Sequence, residues 1–138
     1  MTLSWAILRL NGISSPANAA YSADELTHQL TNSGAIALFT TLPLLDIALR
    51  AAARAGIPKE RVYLCGVPDQ LTGGKSAPKQ FKTLDQLIET GSTLPELEPI
   101  KWTKGQGARQ TAFLCYSSGT SGLPVSLGCP LGEGHLQC

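Results

Sequence analysis

Thr111-Ala112-Phe113-Leu114-Cys115, followed directly by Tyr116-Ser117-Ser118-Gly119-Thr120-Ser121-Gly122-Leu123-Pro124, is the stretch on which the reading of this chain turns. The first five residues are an apolar run of the kind that forms a buried strand. The next nine bring two glycines and four Ser or Thr hydroxyls together. Glycine lets the backbone pass close to a ligand and take up positive φ. Successive backbone N–H groups in such a turn make an anion-binding concavity, to which hydroxyls add donors. Ser117, Ser118, Gly119, Thr120, Ser121 and Gly122 are therefore expected to cradle a nucleotide phosphate. By residue type alone the same stretch also describes an ordinary Gly/Ser turn after a strand, because short motifs recur by chance.

Working back from this stretch, the chain alternates helical and strand-like segments. Residues 2–10 read as an apolar helix that Asn11-Gly12 breaks, and Ile13-Ser14-Ser15 suits a short strand. Ser22-Ala23-Asp24-Glu25 is a capping box, in which the Ser22 hydroxyl and the Glu25 carboxylate satisfy each other's backbone N–H groups. It predicts a helix over residues 23–33 with Leu26 and Leu30 on one face, closed by Gly34. Residues 35–40 form a short, wholly apolar run, the pattern of a parallel strand buried on both faces. Pro43 then sits in the first turn of a second, alanine-rich helix that runs to Ala55 and stops at Gly56, with Pro58 beyond. Residues 61–65 predict a further strand, 66–80 a loop, 83–90 a helix ended by Gly91, and 94–107 an irregular segment anchored by Trp102. Helix, strand, helix, strand, helix, strand is the order of an α/β fold: a partial parallel sheet with flanking helices. A ligand loop at the carboxyl end of a strand is where open α/β sheets bind their ligands.

Composition narrows the classes of function. With 138 residues, 43% apolar and 15% charged, the chain has material for one folded domain and is not compositionally disordered. Net charge is +1, from 11 basic and 10 acidic residues, with neither a basic stripe for nucleic acid nor an acidic tail. The longest apolar stretch, residues 34–49, is interrupted by Pro43 and Asp46 and is too short to span a bilayer. The opening residues carry no basic n-region or long h-region, so no signal peptide is expected and the cytoplasm is the default location. Cys65 and Cys115 lie in strand-like runs, where a reduced thiol is expected to act as a small buried hydrophobe. Cys129 and Cys138 complete the four cysteines, and no disulfide framework is expected.

The run Tyr116 to Pro124 resembles the phosphate-binding loop of the adenylate-forming, or AMP-dependent synthetase/ligase, family. That family includes acyl-CoA synthetases, 4-coumarate–CoA ligase and luciferase, and its loop is written Tyr-Ser-Ser-Gly-Thr-Thr/Ser-Gly-Leu-Pro-Lys. A second likeness lies upstream: Pro16, Asn18, Tyr21, Glu25 and Leu26 match the family segment Pro-x-Asn-Pro-x-Tyr-Thr-x-x-Glu-Leu at the right spacings. Together the two cover roughly residues 3–124 and are most similar to the 4-coumarate–CoA ligase-like branch as found in fungi, where secondary metabolism is the implied setting. The resemblance implies part of the N-terminal domain of such an enzyme, over residues 1–124. It implies ATP or AMP at Ser117–Gly122, with magnesium and CoA as further requirements of full-length members. The family reaction joins a carboxylate and ATP into an acyl-adenylate and pyrophosphate, then forms a CoA thioester.

The likeness ends at Pro124. Val125 stands where the family has lysine, and the usual valine-bearing strand ending in Ser-His does not follow. The family's Tyr-Gly-x-Thr-Glu motif, its ribose-binding aspartate and its adenylation lysine have no counterpart in this chain. A transferring phosphate needs cations placed at it, and the chain offers Lys101 and Lys104 upstream of the loop but no lysine placed after Pro124. A fragment that does not adenylate alone is therefore expected, with a non-catalytic nucleotide- or protein-binding remnant as the alternative. An exposed sheet edge in such a fragment invites pairing with another chain, including a second copy. Residues 125–138 hold three glycines and two cysteines without periodicity and are expected to be a divergent, disordered tail, translated out of the family's frame.

Two weaker motifs point to no site. Gly73-Gly74-Lys75-Ser76 resembles the end of a Walker A loop, but Asp69 replaces its first glycine and Ala77-Pro78 replaces its helix, so a surface loop is expected. Cys129, His135 and Cys138 lack a fourth zinc ligand, and His28 reads as a solvated helical residue.

Overall fold

A computed structural model describes residues 2–74, 76–101 and 103–117, together with the strand backbone of residues 125–130. In chain order the elements are α1 (Thr2–Arg9), α2 (Ala23–Asn32), β1 (Leu38–Thr41), α3 (Leu45–Arg54), β2 (Val62–Cys65), α4 (Asp69–Thr72), α5 (Leu84–Ser92), α6 (Gln106–Arg109), β3 (Thr111–Ser117) and β4 (Val125–Pro130). They divide between two compact units, Ala19–Glu96 and the segments that flank it.

In Ala19–Glu96 the capping box forms as read. The Ser22 N–H and hydroxyl donate to the Glu25 carboxylate at 2.8 and 2.7 Å, and the Glu25 N–H donates back to the Ser22 hydroxyl at 3.3 Å. Helix α2 ends when Gly34, at φ 62°, lets the Ala35 N–H turn back to the Leu30 carbonyl at 3.0 Å. Because Ala35 is committed to that cap, β1 begins at Leu38, three residues later than the apolar run suggests. Helix α3 ends by the same device: Gly56 at φ 76° allows the Ile57 N–H to reach the Ala52 carbonyl at 2.8 Å, and Ile57 is buried. β1 and β2 pair in parallel, Leu38 with Val62 through Thr41 with Cys65, and α3 is the crossover between them. Lys82 and Thr83 add one parallel rung on the far edge of β2, where the Leu64 N–H donates to the Lys82 carbonyl at 3.0 Å. Thr83 then caps α5, which continues through Gly91 to Ser92 instead of stopping at the glycine.

The core of this unit gathers Leu26 and Leu30 of α2, Leu45, Ala51 and Ala52 of α3, Val62 and Leu64 of β2, and Ile57 and Phe81 from connecting turns. Ala48, Ala51 and Ala52 are at most 1% exposed, so α3 lies close against its neighbours and has no room for larger side chains. The partial parallel sheet with flanking helices is the fold class expected from the alternation.

In the flanking unit, α1 closes on Asn11 at φ 59°, with the Gly12 N–H donating to the Ile7 carbonyl at 2.8 Å and the Asn11 N–H to Leu8 at 2.9 Å. A Cβ at Gly12 would stand 3.1 Å from the Ile7 carbonyl oxygen, which explains glycine there. Arg9 donates to the carbonyls of Leu97 and Glu98, both at 2.7 Å, and so ties the start of the 97–101 segment to α1. The irregular stretch contains the one-turn helix α6.

Two expectations are corrected. β3 spans the predicted residues, but its neighbours are β4, antiparallel, and a single parallel rung from Ser14, not β1 and β2. Val125–Pro130, read from composition as irregular, has strand backbone paired along β3. The physical reason is shared: an apolar run specifies a strand but not its neighbour, and a short connection favours the antiparallel return. Residues 131–138 lie outside the described residues.

At Gly56 an L-residue must adopt the left-handed conformation, so Gly56→Ala is expected to destabilise the fold by about 1–2 kcal/mol. A lower urea midpoint with an unchanged slope is the expected readout. The hydrogen bonds from Ser22 hold the Glu25 carboxyl below its ordinary value. Its contribution is therefore complete above the unfolded-state value and is lost as pH falls through the lowered one. Urea midpoints between pH 7 and pH 3 should fall less steeply in Ser22→Ala than in the parent chain.

Candidate functional site

The expected phosphate loop begins where β3 ends. The Ser14 N–H donates to the Ala112 carbonyl and the Leu114 N–H donates to the Ser14 carbonyl, each at 2.9 Å, so Ser14 clamps one edge of β3. β4 takes the other edge. Ala112 is fully buried and is passed over in the register, because Thr111 faces Pro130 while Phe113 faces Cys129. Proline has no N–H to offer a ladder, so a bulge at its rung leaves no donor wanting there. From Phe113 to Ser117 the pairing is regular and closes at Ser117 with Val125. Antiparallel partners stand about 5 Å apart, so the two ends of the connection are held close together. Of the expected phosphate-binding residues, Ser117 is thus the last residue of β3. Ser118, Gly119, Thr120, Ser121 and Gly122 lie outside the described residues.

A second concavity lies in the Ala19–Glu96 unit at the carboxyl ends of β1 and β2. It is an open depression of about 480 Å³ whose lining includes Leu42, Cys65, Asp69, Thr72, Ser76 and Asp85. Gly73 and Gly74, at φ 60° and 75°, follow the one-turn helix α4, and residues 76–80 form neither helix nor strand, so the Walker-like stretch has neither the strand before it nor the helix after it that the motif needs. Sequence reading gave no sign of this depression, because its residues come from four separate segments. Cys65 is partly exposed rather than buried, as is Cys115. Burial first, and the Asp85 charge second, push the Cys65 thiol above its ordinary value, which favours the protonated thiol over the nucleophilic thiolate. Among the described residues no three His, Cys, Asp or Glu side chains come together to hold a metal ion.

A family model described as "AMP-binding enzyme" matches residues 1–125. The chain belongs to the AMP-binding enzyme family. Among curated relatives, the acyl-CoA ligase cm3C of Cordyceps militaris is 39% identical over 123 residues, which cover 87% of this chain and 19% of the relative. The acyl-CoA ligase AFT1-1 of Alternaria alternata is 42% identical over 122 residues, covering 88% of this chain and 20% of the relative. This AMP-binding chain thus spans about a fifth of the length of the curated relatives it matches. Among solved structures, the anthranilate CoA ligase AuaEII in complex with anthranoyl-AMP superposes with a TM-score of 0.72 at 18% identity, over 94% of this chain and 22% of that one. A red-emitting luciferase from Phrixothrix hirtus does so with a TM-score of 0.67 at 19% identity, over 92% and 29%. These likenesses show that the fold is that of adenylate-forming enzymes.

The protonated state of Cys65 has a direct readout. Peptide-mapped alkylation at pH 8 should label Cys65 more slowly than a thiol in the urea-unfolded chain. Asp85→Asn should speed that labelling modestly, because removing a nearby negative charge favours the thiolate while burial, the larger cause, remains.

Proposed function

We propose that this chain is an acyl-CoA ligase-like member of the AMP-binding family that holds the phosphates of ATP or AMP at Ser117, Ser118, Gly119, Thr120, Ser121 and Gly122. The match of the family model over residues 1–125 carries the reading. It is supported by a regular β3–β4 pair whose closing rung, Ser117 with Val125, stands at the two ends of that loop. On the resemblance to the 4-coumarate–CoA ligase-like branch, we take the natural substrates to be carboxylates of fungal secondary metabolism and the location to be the cytoplasm. The family-like part is residues 1–124, and 125–138 is a divergent segment.

As a chain of 138 residues it does not adenylate a carboxylate by itself. Charge develops on the transferring phosphate, and catalysis depends on cations fixed where that charge appears. Val125 brings none, and the acyl, ribose and catalytic-lysine motifs that the family uses are absent from residues 1–138. Magnesium and CoA are implied by the resemblance to full-length members, and among the described residues no three His, Cys, Asp or Glu side chains come together for a metal ion. What remains for this chain's own groups is binding: backbone N–H groups and hydroxyls that hold a phosphate in place.

Calorimetric titration with ATP tests the binding half. Saturable binding is expected, and Gly119→Val or Gly122→Val should weaken it roughly tenfold or more by blocking the close backbone approach. Exchange of labelled pyrophosphate into ATP tests the catalytic half across a panel of aryl and fatty carboxylates. No exchange above background is expected, and carboxylate-dependent exchange by the purified chain would overturn the reading. An ATP titration without saturation would leave the second reading, a protein-binding remnant.

A further inference from the structure

β3 pairs with β4 in a register that depends on one bulge. Thr111 faces Pro130 and Phe113 faces Cys129, so Ala112 is passed over. Counted from Thr111 and Pro130 without that bulge, the ladder would bring Tyr116 opposite Val125; with it, Ser117 stands there. The place of the bulge therefore decides which residue closes the connection. A bulge moved to the other end of β3 would shift every pair between by one residue, which turns the side chains to the opposite face.

Ser14 lies at the bulge, on the other edge of β3. Its N–H donates to the Ala112 carbonyl and its carbonyl accepts from the Leu114 N–H, each at 2.9 Å, so the two bonds straddle Phe113. They hold the carbonyl of the very residue that β4 skips. Ala112 is fully buried, so that carbonyl has no water to turn to if Ser14 moves away. The rung is an isolated one. The next rung of a parallel ladder would need a donor from residue 16, and Pro16 has no N–H. Ser14 is itself placed by the closure of α1. The Gly12 N–H donates to the Ile7 carbonyl at 2.8 Å, in a turn where a Cβ would stand 3.0 Å from Ile7 Cγ2 and 3.1 Å from the Ile7 carbonyl oxygen. Ser14 follows two residues on.

We propose, on the reading of Ser117–Gly122 as a phosphate loop, that Ser14 is a positioning residue for it: the Ser14 rung pins the bulge at Ala112, and the pinned bulge sets Ser117 at the mouth of the loop. With the bulge displaced toward the carboxyl end of β3, Tyr116 would close the ladder and Ser117 would pass into a longer connection. The N–H groups of that connection would no longer converge on one point. Ser14 touches no phosphate; it acts through the main chain of β3, and its hydroxyl has no part.

Amide exchange and calorimetric titration with ATP, both on the full 138-residue chain, test this. Ser14→Pro removes the donor to Ala112. Exchange should quicken from Phe113 to Ser117 and stay as in the parent at Val62–Leu64 of the other unit. ATP should bind roughly three- to tenfold more weakly, the scale of one lost hydrogen bond. Ser14→Ala keeps both main-chain bonds and should match the parent in exchange and affinity. Gly12→Ala keeps the Ser14 N–H but displaces it, and should move both readouts in the direction of Ser14→Pro; it decides the matter if proline unfolds the chain. Parent-like exchange at Ser117 in Ser14→Pro or Gly12→Ala would overturn the proposal. So would parent-like ATP affinity in a variant whose exchange at Ser117 has quickened, or a loss of affinity in Ser14→Ala equal to that in Ser14→Pro. A parent chain that takes up no ATP fails the phosphate reading alone, and exchange at Ser117 still decides whether Ser14 pins the register.

Discussion

The parallel pairing of Leu38–Thr41 with Val62–Cys65 obliges the chain to leave one end of the sheet and re-enter at the other. Residues 19–96 are arranged around that return. The crossover must be long enough to run back along the sheet and apolar on the side that meets it, and α3 meets both demands with alanines where it touches and Arg50 and Arg54 outside. Two sharp closures make the return possible. Gly34 and Gly56 each end a helix in the left-handed conformation, and each turns the chain toward the next strand. The first apolar residue after each closure is at once caught in the helix cap, so the cap and the sheet are built from adjoining residues.

Exposed ion pairs add little to this. Arg54 reaches from α3 to Asp24 of α2, and Asp46 meets Arg50 one turn along α3 at 2.8 Å, but all four side chains are more than half exposed. Pairs of this kind contribute at most about 1 kcal/mol each. Burial is of another order: Ile57 and Phe81 are each 5% exposed, and removing a side chain from such a site costs roughly 2–5 kcal/mol. The packing of α2 and α3 on β2 therefore sets the stability of this unit, and the charges mark its outer surface.

The elements legible in the sequence were those encoded by local chemistry. Ser22 and Glu25 announce α2, Gly34 and Gly56 announce two helix ends, and the runs before Thr41, Cys65 and Ser117 announce strands. Pairing was not legible, because an apolar strand reads alike whichever neighbour it has. Hence β3 was expected beside β1 and β2, and β4 was not expected at all. The depression at the carboxyl ends of β1 and β2 was invisible for a related reason: Leu42, Cys65, Thr72 and Asp85 share no motif and meet only through the fold. The loop Ser117–Gly122 was the opposite case, a motif whose family is legible residue by residue while its described geometry is confined to the strands that carry it.

Those strands separate two requirements that full-length members meet together. Holding a phosphate requires backbone N–H groups turned toward one point, and the regular ladder from Phe113 to Ser117 fixes where that turn begins and ends. Moving a phosphate requires a cation at the same point. Position 125 is the residue opposite Ser117, so the family's lysine would enter from the rung that closes the loop, and valine there removes the charge without disturbing the rung. β4 shows that backbone pairing tolerates the change, since a ladder is made by main-chain groups and is indifferent to which side chain it carries. On the proposed reading, the strand frame of a nucleotide site persists in a sequence that does not equip it for transfer, and ancestry and activity have to be read from different atoms of the same few residues.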